Sequence, residues 1–495
     1  MRRLLAAALA LAAVAALPCA PAHAAPPRHN IVVIMTDDQD FRSMSAMPQT
    51  RRLIGQRGTT FAQSIVSFPL CCPSRATYYT GQYAHNHGVK WNFFPLGGYY
   101  LFRQDEVLPL WLQRAGYRTI HIGKYLNQTD ERGDHTEIPR GWTDYLGGVD
   151  PTTYDYYGMT INHNGHLVTY PRDARHYSTD VYARLAERSI ADAARRGRPF
   201  FLNVAPNAPH TVSAKSDAEV EGTPAVPPPR YRGRYAHATF PRYPDFDEAD
   251  LSDKPAWMPV IFPPLTAAQQ TSLRAHYRGR MGAIRGVDDL VAGVVRALKR
   301  AGVYDTTDIL FTSDNGWMLG EHRLVDTQTQ DGRVSGVKYF AYEGSSRVPL
   351  LAAGPDFPRG RVVRGVTVNA DLAPTIAQIA GATPGLVQDG RSLVPVARDP
   401  ALLDGRGVLL EGFENPRGAP PYASIRTQRY RYDVQSDGAE QLYDLQRDPW
   451  ELQSVHADPR YAPVKAILAA GLERLRACAG ESCQVDVGPL PEPGA

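Results

Sequence analysis

An excess of charge of one sign is what this sequence most clearly lacks. Its 54 Lys and Arg nearly balance 51 Asp and Glu, leaving a formal net charge of +3. That excludes a nucleic-acid binder driven by bulk charge, although a slight positive balance suits an anionic substrate. Internal repeats and coiled-coil heptads are also absent. No apolar run reaches bilayer-spanning length. The apolar run over residues 4–17 is too short for that, follows Arg2 and Arg3, and precedes Ala22-His23-Ala24, a small-x-small cleavage site. Residues 1–24 therefore read as a signal peptide, with the mature chain starting near Ala25. The rival reading, a lipid anchor on Cys19, requires a lipobox, and Ala16-Leu17-Pro18 is a poor one. The expected product is soluble and secreted, or periplasmic in a two-membrane cell, with no stable membrane insertion.

Cysteine is scarce too: five in 495 residues. Cys19 leaves with the signal. Cys478 and Cys483 are close in sequence and are expected to pair in an oxidising compartment. Cys71 and Cys72 remain, and a disulfide between neighbours is strained and rare. Two adjacent unpaired cysteines in an exported protein are out of place unless one has a chemical task.

What is present is a core-forming chain, 43% hydrophobic and long enough for two unequal domains. Short β-branched runs over residues 30–35, 117–122, 199–204 and 307–312 read as buried strands. Helical patterns lie between them, over residues 179–195 and 265–301. That alternation predicts an α/β sandwich with a mainly parallel sheet, whose ligands bind beyond the carboxyl ends of the strands. Residues 221–247, rich in Pro, Arg and Tyr, read as a long irregular surface loop, either a lid or an idle excursion. Residues 371–381 read as an amphipathic helix of the large domain. Beyond residues 390–405 the pattern changes to short strands (408–410, 422–427, 429–434, 441–444) and a helix over 463–476. This is a small C-terminal domain with an antiparallel sheet. The expected division is 1–24 signal, 25–395 catalytic domain and 396–495 C-terminal subdomain.

Each predicted strand ends in polar residues: Asp37-Asp38, Lys124, His210 and Asp314-Asn315. Alone, an aspartate pair reads equally well as a solvated loop with an N-cap, and any one lysine as a solvated surface group. Their shared placement is the stronger signal. Asp37, Asp38, Asp314 and Asn315 offer oxygen donors, which suit Ca²⁺ or Mg²⁺ better than zinc. Cys71-Cys72-Pro73-Ser74-Arg75 reads as a helix start, with Pro73 in the first turn and Gly81 as the stop. Cys71 then lies beside free backbone N–H groups, and Arg75 adds a cationic fork. Lys124 and Lys338 complete a cationic ring able to stabilise an anionic transition state. His210 is placed to hydrogen-bond a substrate or move a proton.

Cys71-Cys72-Pro73-Ser74-Arg75 with Thr80-Gly81 resembles the first sulfatase signature, C-x-P-S-R followed by T-G. Gly116-Tyr117-Arg118-Thr119 through Gly123-Lys124-Tyr125-Leu126 resembles the second. Asp37-Asp38, Ala208-Pro209-His210, Ser313-Asp314-Asn315-Gly316, Gly320-Glu321-His322-Arg323 and Tyr342-Glu343 to Arg347-Val348-Pro349 follow in the family's order. Leu442-Tyr443-Asp444-Leu445 with Asp448-Pro449 and Glu451 is similar to its C-terminal marker. The resemblance to the formylglycine-dependent sulfatases implies an alkaline phosphatase-like three-layer sandwich. It also implies that Cys71 is oxidised to formylglycine before export by a formylglycine-generating enzyme. The hydrated aldehyde would attack sulfur, and its second hydroxyl would expel sulfate. Asp37, Asp38, Asp314, Asn315 and the modified Cys71 would bind one divalent cation, Ca²⁺ first and Mg²⁺ second. Arg75 would hold the hydrate, and Lys124, His210 and Lys338 the sulfate. His322 is a further candidate for leaving-group or metal-shell work.

One departure matters. Many arylsulfatases carry His two residues after the second-signature lysine, where this chain has Leu126 and then Asn127. Residues 123–127 resemble instead the branch of N-acetylglucosamine-6-sulfatases and extracellular heparan 6-sulfatases. The base for sulfate release is thereby left unassigned, with His87 and His322 as candidates. The long basic insert of the endo-acting heparan enzymes is absent, which favours exo action or a small substrate. Two rival readings stand beside the sulfatase: a phosphomonoester or phosphonate hydrolase of the same fold, and a non-catalytic binder of sulfated glycans with Cys71 unmodified.

Overall fold

The structure, a computed structural model, describes residues 28–129, 134–212, 223–327, 334–414 and 419–494. The signal peptide read over residues 1–24, Cys19 and the first two residues of the 221–247 loop lie outside the described residues. Among those residues, eleven strands form one large sheet: β1 (Asn30–Thr36), β2 (Thr59–Ile65), β3 (Arg118–Gly123), β4 (Asp144–Gly148), β5 (Thr160–His163), β6 (His166–Thr169), β7 (Phe200–Ala205), β8 (Thr307–Ser313), β9 (Arg347–Val348), β10 (Leu350–Ala353) and β11 (Arg361–Val368). β1 lies at the centre, paired in parallel with β7 on one side and β8 on the other. β3 and then β4 continue in parallel beyond β7. β10 joins antiparallel between β8 and β2, and β11 runs parallel to β2.

Strand alternation sorts the core into two layers. In β1, Val32 and Ile34 join Leu202, Val204, Ile309 and Phe311 under the helices Ser178–Arg195 and Ala267–Arg300. Ile31, Val33 and Met35 join Phe201 and Leu310 under the helices Cys71–Thr80, Leu108–Arg114 and Leu372–Ala380. Helices cover both faces, so the central strands are buried and mainly apolar, with His121 and Asn203 among the few buried polar residues. The result is the three-layer sandwich.

The C-terminal sheet consists of β12 (Val408–Gly412), β13 (Tyr422–Arg426), β14 (Tyr430–Gln435) and β15 (Glu440–Asp444), all antiparallel, backed by the helix Ala462–Arg476. It shares a core with the large sheet, where Ile65, Val366 and Val368 pack with Val408, Leu410 and Leu472. Cys478 and Cys483 form a disulfide beside it, and Cys71 and Cys72 are free and buried.

The four core strands read from the sequence are present, shifted by at most a residue or so at either end. β2, β4, the β5–β6 hairpin, β10 and β11 were not among them. β2, β4 and β11 mix glycine or polar residues into the run, whereas β10 (Leu350–Ala353) is apolar and buried throughout but only four residues long. The loop after residue 222 is irregular, save for one 3-10 turn at Pro229–Tyr231.

Candidate active site

Four parallel strands deliver the site. β1 ends at Asp37-Asp38, β3 at Lys124, β7 a few residues before His210, and β8 at Asp314-Asn315. The Cys71–Thr80 helix starts at Cys71 and stops at Gly81, which takes the left-handed conformation (φ 71°) that a side chain disfavours. Leu70, at its N-cap, makes no side-chain capping bond. The first turn is satisfied otherwise: the Cys72 N–H donates to Asn92 Oδ1 at 2.9 Å, Pro73 has no N–H, and the Ser74 N–H donates to the Leu70 carbonyl.

Cys71 Sγ lies 3.5 Å from Asp37 Oδ1, 4.0 Å from Asp38 Oδ1 and 2.8 Å from Lys338 Nζ. Lys338 Nζ also donates to Asp38 Oδ1, and Lys124 Nζ donates to Asp37 Oδ2 at 2.7 Å. Arg75, one turn along the helix from Cys71, donates through Nε to Asp314 Oδ2 (2.8 Å) and through Nη1 to the Lys124 carbonyl (2.7 Å). Its Nη2 is buried with no hydrogen-bond partner and lies 4.0 Å from Asp37 Oδ2. Asp37, Asp38, Asp314 and Asn315 are all fully buried. Burial pushes the Asp37 carboxyl upward, but Lys124 and His210 outweigh it and hold it at about 2. Burial likewise works against the charge on Lys124, yet Asp37 keeps that ammonium protonated.

The structure thus brings Asp37, Asp38, Cys71, Arg75, Lys124, His210, Asp314, Asn315 and Lys338 together. Three carboxylates, Asp37, Asp38 and Asp314, face three permanent cations, Arg75, Lys124 and Lys338, so the cluster is balanced. Two acceptors are left over. Asp38 Oδ2 and Asn315 Oδ1 are buried without a hydrogen bond, a costly state that a hard cation relieves. Ligand atoms of Asp37, Asp38, Cys71 and His210 lie within 4.8 Å of one another. The donor set therefore fits a divalent cation.

His210 has a defined tautomer. Its Nδ1 lies 2.6 Å from the Thr211 carbonyl oxygen, which has no proton to give, so Nδ1 carries the hydrogen. Nε2 is then the free nitrogen, 3.5 Å from Asp38 Oδ2. Burial lowers the pKa of His210 although Asp38 and Asp37 oppose this, so the ring is neutral at pH 7. The other two histidine candidates are held elsewhere. His87 Nε2 pairs with Thr77 Oγ1, and its Nδ1 accepts from the Val89 N–H. His322 Nδ1 lies 2.6 Å from Glu248 Oε2 and its ring stacks on Tyr342. Among the described residues, His210 is the histidine in contact with the cluster.

Sequence reasoning missed three neighbours. Arg280, buried in the Ala267–Arg300 helix, donates to the Asp38 and Pro209 carbonyls. Tyr154 and Trp317 flank His210, with ring centroids at 4.5 and 6.1 Å. Trp317 directly follows Asp314-Asn315-Gly316 and was findable by adjacency, whereas nothing in the sequence marks Arg280 or Tyr154.

The sulfatase family profile matches residues 29–382. The chain belongs to the sulfatase family. A second profile, N-sulphoglucosamine sulphohydrolase, C-terminal, matches residues 336–478. An arylsulfatase of Volvox carteri is 33% identical, over 96% of this chain and 78% of the relative. The N-acetylglucosamine-6-sulfatase of Homo sapiens is 31% identical, over 78% of this chain and 67% of the relative. A solved structure described as a complex with its substrate D-glucosamine-2-N,6-O-disulfate superposes with a TM-score of 0.70 at 21% identity, covering 91% of this chain and 98% of that one. The phosphonate monoester hydrolase of Agrobacterium radiobacter does so with a TM-score of 0.69 at 25% identity, covering 91% and 96%. This sulfatase is a sulfuric ester hydrolase, and its fold is that of the solved sulfatases. No helix among its described residues is long and apolar enough to cross a membrane.

Proposed function

We propose that this sulfatase is exported through a signal peptide over residues 1–24 and hydrolyses sulfate monoesters of sugars or aryl alcohols with an oxygen nucleophile made from Cys71. The reading rests on the placement of Cys71: the first residue of a helix, fully buried, within 4.0 Å of two aspartates and a lysine. Conversion to formylglycine, by a generating enzyme acting before export, followed by addition of water to the aldehyde, would give a gem-diol with one hydroxyl for attack on sulfur and a second for release of sulfate. Asp37, Asp38, Asp314, Asn315 and the modified residue 71 would hold a divalent cation, Ca²⁺ by the hardness of these donors, which adds Lewis-acid polarisation of the ester.

The chain's own groups do the rest. Lys338, 2.8 Å from Cys71 Sγ, and Lys124, held on Asp37, present two ammonium groups beside residue 71 that favour the negative charge that grows on the sulfuryl oxygens. Arg75 fixes Asp314 and the Lys124 backbone while leaving Nη2 free toward the nucleophile. His210, with its hydrogen on Nδ1, offers Nε2 to take a proton during sulfate release or to return one to the leaving alcohol. That assigns to His210 the work for which His87 and His322 were the candidates. Residues 25–395 form the catalytic domain and 396–495 the C-terminal subdomain in this reading.

The names of its relatives and residues 123–127 favour an N-acetylglucosamine 6-sulfate-like substrate. Intact-peptide mass spectrometry across residue 71, on protein from the native host, is expected to find formylglycine. An unmodified thiol there contradicts the mechanism. Cys71→Ala is expected to abolish turnover while the thermal midpoint moves little, and activity kept in that variant refutes its role. Paired aryl sulfate and aryl phosphate substrates separate this reading from a phosphonate or phosphate hydrolase, since dominant phosphate turnover reverses the assignment. Calcium added to chelated protein is expected to raise the thermal midpoint, and no shift with Asp38 intact argues against the cation site.

A further inference from the structure

Among the described residues, a second group of ligand-type side chains lies at the opposite end of the sheet from the candidate active site. His29 directly precedes β1, Asp308 stands near the start of β8, and Asp356 lies in the turn that follows β10. Asp37-Asp38 leave the other end of β1, so about 20 Å of strand separates the two places. His29 Nδ1 is 3.1 Å from Asp308 Oδ2 and 3.1 Å from Asp356 Oδ2. Each carboxylate has its remaining oxygen tied. Asp308 Oδ1 accepts from the Asp356 N–H at 3.1 Å, and Asp356 Oδ1 accepts from Arg398 Nη2 at 3.2 Å. The His29 carbonyl accepts from the Tyr117 hydroxyl at 2.7 Å, which fixes the backbone there. Gly354 lets the turn close over Asp308: at its φ of 146°, a Cβ would lie 2.6 Å from Asp308 Cα. Two inner oxygens therefore face one ring nitrogen, which carries at most one hydrogen. Arg398 offsets one of the two negative charges. The Asp308 side chain is fully buried, and burial pushes its carboxyl upward, so its anion needs a further cation close by.

We propose that His29 Nδ1, Asp308 Oδ2 and Asp356 Oδ2 form a second metal site, one that takes a zinc-class divalent cation and leaves a position open to water. One imidazole nitrogen with two carboxylate oxygens suits zinc and its first-row neighbours, whereas Asp37, Asp38, Asp314 and Asn315 offer oxygen alone. The spacing fits. Two donor atoms held about 2.0–2.1 Å from zinc at a tetrahedral angle lie about 3.3 Å apart. Both contacts to His29 Nδ1 are within a few tenths of an ångström of that. The cation takes the place of the hydrogen on Nδ1, and the ring then carries its hydrogen on Nε2. The tied outer oxygens are the supports that hold ligating carboxylates in orientation. His29 and Asp356 keep 25% and 21% of their side chains exposed, which gives the ion a way in. The site joins the entrance of β1 to β8 and to the turn after β10. A bound cation therefore stabilises the sheet at the end remote from the chemistry, and the inference stands independently of the sulfatase mechanism.

The test uses the full chain, freed of metal with a chelator and resupplied with saturating calcium, and the probe is zinc alone. Titration calorimetry is expected to find one equivalent of zinc bound, and the thermal midpoint is expected to rise with zinc concentration. Folded Asp38→Asn protein is expected to keep that equivalent. His29→Gln and Asp356→Asn are each expected to weaken zinc binding at least about tenfold, with turnover of sulfate esters unchanged. Both side chains are partly exposed, so these variants serve even where substitution of the buried Asp308 prevents folding. Cobalt in place of zinc is expected to give the visible absorption of a four-coordinate ion in wild type and in Asp38→Asn, and to lose it in His29→Gln. Wild-type protein that binds no equivalent of zinc overturns the proposal, and the three side chains are then an ion-pair cluster only. Zinc bound at full strength in His29→Gln, or lost in folded Asp38→Asn, overturns it as well.

Discussion

Arg280 shows how much of this site depends on a residue that touches no substrate. It is a buried guanidinium bound to the backbone at two strand ends, through Nη2 to the Asp38 carbonyl and through Nη1 to the Pro209 carbonyl at 3.3 Å. Those two carbonyls belong to the segments that present Asp38 and His210, so one side chain sets the spacing of those two residues. Arg280→Met leaves both carbonyls without a donor in the interior and is expected to lower stability by about 3 kcal/mol. It should reduce kcat and raise KM together, since Lys338 is held on the same Asp38, and Arg280→Lys should recover part of the loss. Denaturant midpoints and steady-state kinetics check both. A drop in stability with unchanged kcat would confine Arg280 to a packing role.

Among the elements, the 34-residue helix Ala267–Arg300 and the strap before it form one unit. Gly279, Gly282 and Gly286 fall on one helix face, and the proline-rich segment around Ala225, Pro227 and Pro228 lies in the groove they leave. A Cβ on Gly279 would lie 2.3 Å from the Ala225 carbonyl oxygen, and one on Gly282 would lie 2.6 Å from Pro227 Cγ. Glycine within a helix costs about 1 kcal/mol in propensity, so these positions earn their place by close packing. Gly279→Val is expected to destabilise by about 2 kcal/mol despite its better helix propensity, because the contact is backbone and cannot yield. Differential scanning fluorimetry should show a lower midpoint, and limited proteolysis should cut sooner around residues 223–231. A stabilised Gly279→Val protein would mean the strap is not seated there.

Across the whole molecule, the C-terminal sheet is joined to the sandwich by apolar packing and by buried charge. Glu343, on the segment between β8 and β9, accepts from Arg426 Nε of β13 and from Arg347 Nη1, each at 3.0 Å. Burial pushes the Glu343 carboxyl upward, but Arg426 and Arg347 prevail and hold it at about 2. A carboxyl depressed in this way contributes stability that is complete above its unfolded pKa near 4.5 and is lost as pH falls toward 2. Glu343→Gln strands Arg426 and is expected to cost about 3 kcal/mol at pH 7. The gap between wild type and variant should narrow from pH 5 to pH 3 in urea titrations. A gap independent of pH would show that the ion pair is not what the substitution removes.

Legibility in the sequence followed burial on both faces. β1, β3, β7 and β8 are buried along nearly their whole length and mostly apolar, with a few buried polar positions such as His121 and Asn203, so their runs stand out, and the site residues follow them closely. Of the flanking strands, β2, β4 and β11 mix in polar residues or glycine, and β10 is apolar but only four residues long. Cys71, Arg75, Lys124, Asp314 and Asn315 were legible because each lies within a few residues of a strand end or helix start. His322 was in the right motif but turns to Glu248, and His87 turns to Thr77.

By itself the sequence determined the layered fold, the strand ends as the place of chemistry, and the unpaired cysteine at a helix start. Hydrophobic periodicity and local spacing are properties of neighbours along the chain. The tertiary structure decided which groups meet: His210 as the histidine beside Asp38, Arg280 as the tie between the Asp38 and Pro209 segments, and Tyr154 with Trp317 beside the His210 ring. These contacts join residues up to 242 positions apart, and only the packing of helices onto both faces of the sheet brings them together.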